Sequence, residues 1–228
     1  EAFGKYGVFL PRAEFVYATG EIDVGDDEPD IGSWAAFASL ELALSPLFNP
    51  YLGGYYVTGD DDADDDDIDA FNPITNISRY TPAFGMENAF IYRFVPALGN
   101  HLYSNVPDVL GTTPGYGGIG NSAKLESPGM MMLGLGSKGS LQSWQYKTQL
   151  MYFWFEDTGA IEDVFGMDEI SDDIGLEWDL QITYNFNEHF SLGNVFAVFE
   201  PGDGVQDLRG DDFDRTAFLD TIEFKWGF

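Results

Sequence analysis

Residues 218–228 read FLDTIEFKWGF, and their alternation decides how the rest of the chain is read. Phe218, Ile222, Phe224, Trp226 and Phe228 share one parity, and Leu219, Thr221, Glu223, Lys225 and Gly227 share the other. A period of two sends successive side chains to opposite faces of a strand, so this one carries an aromatic face and a largely polar one. The pattern recurs upstream. Trp144, Tyr146, Leu150, Tyr152 and Trp154 stand opposite Gln145, Lys147 and Gln149. In residues 174–186, Ile174, Leu176, Trp178, Leu180, Ile182, Tyr184 and Phe186 alternate without a break with Gly175, Glu177, Asp179, Gln181, Thr183 and Asn185. Two charges and two amides on one face call for water there, while the opposite face is apolar.

Composition narrows the setting. The chain has 39 acidic and 10 basic residues, a net charge of -29, which argues against nucleic acid or an anionic membrane surface as an electrostatic partner. Acidity of this size often accompanies disorder, but 16% of the residues are aromatic, with 20 Phe, 12 Tyr and 5 Trp, too many for a solvated tail. Those rings must be buried or face lipid. Cysteine is absent, so no disulfide framework or thiolate metal site is available. No run of about 18 apolar residues occurs, which excludes a transmembrane helix and leaves a β-barrel open, because barrel strands hide their hydrophobicity in alternation. No secretory signal is visible, so Glu1 is expected to follow a cleavage or to open a fragment of a longer chain.

The same reading along the chain yields eight strands, near residues 5–18, 33–44, 51–58, 129–136, 144–155, 174–186, 190–199 and 215–228. The second, fourth and sixth connections are short; the first, third, fifth and seventh are long and acidic. Alternate connections of an up-and-down meander lie at one end, so all short turns fall on one rim and all long loops on the other. The expected fold is an all-β, antiparallel up-and-down transmembrane β-barrel spanning residues 1–228 as one domain, with long acidic extracellular loops. Residues 59–127 form the longest of these, a loop expected to fold into the pore.

The terminal strand, aromatic and closed by Phe228, resembles the C-terminal strand of bacterial outer-membrane β-barrels. Residues 51–74, YLGGYYVTGDDDADDDDIDAFNPI, are similar to a pattern of the porin-like alginate-export family: an aromatic strand, an acidic loop, then an F-x-P stretch. The resemblance implies a barrel of about 16 to 18 strands, of which these eight would be the C-terminal half, in a bacterial outer membrane with lipid and lipopolysaccharide as its surroundings. One departure matters. The family's exporters of anionic polysaccharide line their lumen with basic residues, whereas the polar faces here mix Arg12, Lys147 and Lys225 with Glu14, Glu41, Glu177, Asp179 and Glu223. Those eight are the expected pore-lining residues, and alginate is not the expected solute.

Other candidate sites are weighed against plainer readings. Residues 59–69 hold eight aspartates in eleven positions, and Asp60, Asp62, Asp64 and Asp66 offer oxygen ligands for Ca²⁺ or Mg²⁺. The EF-hand pattern fails: counted from Asp60 or Asp62, the sixth position is Asp65 or Asp67 rather than Gly. A solvated acidic loop is the competing reading. Arg79 and Arg93, with Phe90, Tyr92 and Phe94, make the third loop locally basic and aromatic, the composition expected of a constriction. Gly115, Gly117 and Gly120 match G-x-G-x-x-G in spacing alone, without the strand and helix a dinucleotide site needs. His101 and His189 are the only histidines, and neither falls in a triad or metal-ligand spacing, so no enzyme is expected. The expected function is an outer-membrane porin passing small hydrophilic solutes or ions, favouring cations at its acidic mouth, with self-association left open. The alternative is a non-conducting structural barrel, an envelope anchor or the sheath of a larger complex.

Overall fold

Eight long strands carry the fold in the computed structural model, which describes residues 2–21, 30–62, 67–71, 128–210 and 214–227. In chain order the elements are β1 (Ala2–Phe3), β2 (Phe9–Glu21), β3 (Asp30–Leu42), β4 (Asn49–Val57), β5 (Asp67–Ile68), β6 (Met130–Leu141) and β7 (Trp144–Trp154). Then come α1 (Gly159–Phe165), β8 (Asp173–Asn185), β9 (Phe190–Pro201), α2 (Asp203–Arg209) and β10 (Ala217–Trp226). They form one ten-stranded sheet in the order β1-β2-β3-β4-β6-β7-β8-β9-β10, with β5 added in parallel to the start of β3. Every other pairing is antiparallel, so the sheet is an up-and-down meander. The sheet is not closed: β1 and β10 are its ends.

Local chemistry sets the short turns. Between β8 and β9, the Asn187 side-chain oxygen accepts from the His189 and Phe190 amides at 2.8 and 2.9 Å, an Asx turn that reverses the chain. Between β3 and β4, Ser45 Oγ accepts from the Phe48 amide at 3.0 Å. The β6 to β7 link is only Gln142 and Ser143, with Gln142 at φ 53°, so β6 runs on through the residues read from sequence as a turn. The long connections gather at the opposite rim. Two of them, read as plain acidic loops, contain α1 and α2.

Register divides the sheet into two faces. Residues directly paired across strands share a face, and the row Leu10, Glu41, Tyr51, Gly136, Gln149, Asp179, Ala197, Leu219 runs from β2 to β10 on the inner one. Towards the long-loop rim the inner face is apolar. Phe37, Tyr55, Met130, Met132, Phe153 and Phe199 pack there with Ile161 of α1, Val205 of α2, Ile170 and Phe71. Towards the short-turn rim it is polar.

The outer face is the reverse of a soluble protein's surface. Leu52, Leu133, Leu135, Trp178, Ile182, Phe218, Ile222, Phe224 and Trp226 all point out and are exposed, Phe224 by 71% and Trp178 by 38%. Apart from Asp173, which pairs with Trp154 at the irregular start of β8 and accepts from the Tyr152 hydroxyl at 2.7 Å, the outward positions of β4, β6, β7 and β8 carry no Asp, Glu, Lys or Arg. Polar atoms on this face are satisfied within the sheet: Trp178 Nε1 donates to Thr148 Oγ1 at 2.9 Å, which donates to the Asp179 carbonyl at 2.9 Å. Asp220 of β10 is an outward charge and takes the Asn194 amide at 2.5 Å.

Candidate functional site: a polar belt on the inner face

All eight side chains expected to share a polar face do share one. By register Arg12 and Glu14 on β2, Glu41 on β3, Lys147 on β7, Glu177 and Asp179 on β8, and Glu223 and Lys225 on β10 lie on the inner face. Their surroundings differ. Glu177 is 0% and Asp179 4% exposed in the middle of the sheet, whereas Arg12 and Lys225 on the outermost long strands are open to solvent.

The middle of the belt is a connected network. Lys138 Nζ pairs with Glu41 Oε2 at 2.8 Å, and the Asn49 amide donates to the Lys138 carbonyl at 3.4 Å. Tyr51 donates its hydroxyl to Gln149 Oε1 and lies equally near the Thr148 carbonyl, both at 3.3 Å. Gln149 Nε2 in turn donates to Asp179 Oδ2 at 2.9 Å. Gly136 lies between Tyr51 and Gln149 in the row, and the tyrosine ring folds over it. A Cβ at Gly136 would meet Tyr51 Cζ at 2.6 Å and the Thr148 carbonyl oxygen at 2.4 Å, so the glycine makes room for the ring. Near the short turns a cleft of about 420 Å³ is bounded by Asn49, Lys138, Gln145, Lys147, Gln181 and Thr183. Lys138 and Lys147 face each other there in direct register, a repulsive arrangement that Glu41 offsets on one side.

At the long-loop rim Glu156 closes the neck of the third connection. Its carboxylate accepts from the Gly59 amide at 2.7 Å and from the Tyr56 hydroxyl, while its own amide donates to the Pro128 carbonyl at 3.1 Å. A cleft of about 760 Å³ between α1 and α2 is acidic, with Glu162, Glu169, Asp172, Asp203 and Asp207 on its walls. Two of these serve the backbone: Glu162 accepts from the Ile170 amide at 2.8 Å and Asp207 from the Ser171 amide at 2.9 Å.

Of the proposed metal ligands, Asp60 is buried and Asp62 exposed, while Asp64 and Asp66 lie outside the described residues. Among the described residues no three His, Asp or Glu side chains gather into a metal-binding group. The constriction residues Arg79, Phe90, Tyr92, Arg93 and Phe94, and most of residues 59–127, also lie outside the described residues. Sequence reasoning missed Lys138 and Tyr51 as members of the belt, while it placed Gln149 on the polar face beside Lys147 without counting it among the candidate residues. Lys138 sat in a stretch read as a turn, and Tyr51 in a strand whose aromatics occupy both parities. No family model and no curated protein matches the chain.

Proposed function

We propose that this chain forms wall of an outer-membrane β-barrel, and that the barrel is a porin-like channel for small hydrophilic solutes or ions, favouring cations. One observation carries the reading: the outer face of the meander is lined with large apolar side chains that stay exposed, while Glu177 and Asp179 are buried on the other face. A soluble sheet gains nothing from that partition. In hydrocarbon it is the favourable one, because each large apolar side chain removed from water contributes about 1.5–3 kcal/mol.

Ring placement supports the same reading. Near the short turns Trp144, Tyr184, Phe186, Phe190 and Trp226 form a chain of neighbouring rings, each 4.8–6.0 Å from the next. Near the long loops Phe15, Trp34 and Tyr56 do likewise at 5.9 and 4.4 Å, as do Tyr152 and Trp154 at 4.5 Å. Trp144 and Trp154 bound β7, ten steps of ~3.4 Å apart, or about 34 Å along the strand. Tilted by ~40° that projects to about 26 Å, the height of the apolar band of an outer-membrane barrel. No helix among the described residues is long and apolar enough to cross a membrane, so strands would make the crossing. Such a wall leaves no edge in lipid, so β2 and β10 would close on each other or on further strands.

Purified protein in planar bilayers tests the channel: stepwise single-channel currents with cation preference are expected, and an absence of steps or an anion preference sinks it. A second reading, a non-conducting structural barrel, draws on the apolar cluster of Ile161, Ile170, Val205, Phe155 and Phe199 over the inner face. If that cluster seals the ring, Ile161→Ala with Val205→Ala raises a near-zero conductance; if the channel is open, the double variant leaves it within twofold.

A further inference from the structure

The cleft of about 420 Å³ near the short turns has no Asp or Glu on its walls, although the chain holds 39 acidic residues against 10 basic. Two of those ten, Lys138 on β6 and Lys147 on β7, stand there in direct register. Directly opposed side chains have Cβ atoms about 4.5–5.5 Å apart, so two ammonium groups share one side of the cleft. Glu41 answers Lys138 at 2.8 Å. Lys147 makes no ion pair and donates no side-chain hydrogen bond among the described residues. The carboxylates of the adjoining rows are engaged elsewhere: Glu223 pairs with Lys225 at 3.5 Å, and Asp179 accepts from the Gln149 amide at 2.9 Å.

The next row toward the turns is polar and neutral. Ser140, Gln145 and Thr183 are directly paired across β6, β7 and β8 and line the same cleft, and their side chains make no hydrogen bond among the described residues. Rows on one face lie two residues apart along a strand, about 7 Å, so the lysine pair and the neutral row can take the two ends of one short molecule. The wall is held in place. The Ser140 amide donates to the Pro46 carbonyl at 2.6 Å and the Tyr146 hydroxyl to the Leu47 carbonyl at 2.9 Å, which ties the turn between β3 and β4 to β6 and β7. A preformed concave site with a few converging polar groups is the form small-molecule sites take. An oxyanion beside Lys147 would supply the missing countercharge and relieve the repulsion from Lys138. We propose that this cleft binds a small hydroxylated acid, its carboxylate or phosphate at Lys147 and its hydroxyls along Ser140, Gln145 and Thr183. The site deepens the channel reading by naming a solute class, and its role in permeation rests on that reading; the binding itself does not.

The test uses the full chain in detergent and in planar bilayers at matched ionic strength. Potassium gluconate and potassium glycerol 3-phosphate are the probes, with glucose and glycerol as their neutral counterparts. Calorimetric titration should show the unaltered protein binding at least one acid and neither neutral compound, and which acid binds tells carboxylate from phosphate. Lys147→Met should weaken that binding by about tenfold or more, the loss of one charge-assisted bond. Lys5→Met, which removes a cation outside the cleft, should leave it unchanged. Gln145→Ala with Thr183→Val should weaken it by about threefold or more, and this double variant decides in place of Lys147→Met should the latter not fold. No binding of either acid overturns the site, as does unaltered binding in folded Lys147→Met, equal binding of the neutral compounds, or the same loss in Lys5→Met. In bilayers the acid that binds should reduce the K⁺ current of the unaltered protein and not that of Lys147→Met. If the protein carries no current yet the titration still needs Lys147, the site stands and the channel reading falls. If current flows and neither acid binds, the channel reading stands and the site falls.

Discussion

Leu135 separates a wet outer face from a greasy one. It is 61% exposed on the outer face and aligned with Leu52 and Leu150 across the strands. If water covers it, arginine there costs almost nothing; if hydrocarbon does, the cost is about 2–4 kcal/mol near the bilayer midplane. Reversible urea unfolding from lipid vesicles should therefore show Leu135→Arg less stable by that amount. Its neighbour Gly136 faces the other way and fails for a different reason. Gly136→Val drives a side chain into the Tyr51 ring and the Thr148 carbonyl, so a loss of about 1–3 kcal/mol is expected in the same assay, in lipid or detergent alike. At this scale the sequence was informative wherever polarity alternated cleanly. Glu177 and Asp179 could be assigned to one face because every second neighbour in residues 174–186 is apolar. Tyr51 could not, because Tyr55 and Tyr56 occupy opposite parities and Gly53 and Gly54 carry no side chain to break the tie.

At the scale of elements, the eight long strands lie within a few residues of where alternation puts them, and the elements missed are those too small to have a period. In α1, Ile161 and Phe165 are four apart, and in α2, Val205 and Leu208 are three apart. A helix of two turns in an acidic stretch is too short for such spacings to repeat. The β6 to β7 hairpin hid for another reason: tight two-residue turns favour Gly or Asn at positive φ, and here Gln142 takes that position. Polar residues 137–140 then looked like the turn they lead into. The bond from Gly59 to Glu156 gives this scale its prediction. A hydrogen bond to a charged acceptor contributes about 1.5–3 kcal/mol. Glu156→Ala should speed amide exchange at Gly59 by about tenfold or more while leaving amides in the middle of β7 and β8 unchanged.

For the whole molecule the net charge of -29 sets a field of its own, distinct from any single site. Loop carboxylates act through solvent, and the screening length contracts from about 30 Å at 0.01 M salt to about 3 Å at 1 M. Cation preference measured by reversal potential should accordingly fall as salt rises across that range. Preference that survives 1 M salt belongs to groups buried beside the path, with Glu177 and Asp179 first among them. Finally, the seven antiparallel steps from β2 to β10 leave those two strands running in opposite directions. A seam between them needs no reversal of direction: once β1 gives up Arg12 and Ala13 on the edge of β2 they can zip together, or admit any even number of added ribbons in alternating sense, and an odd insertion would force one parallel join.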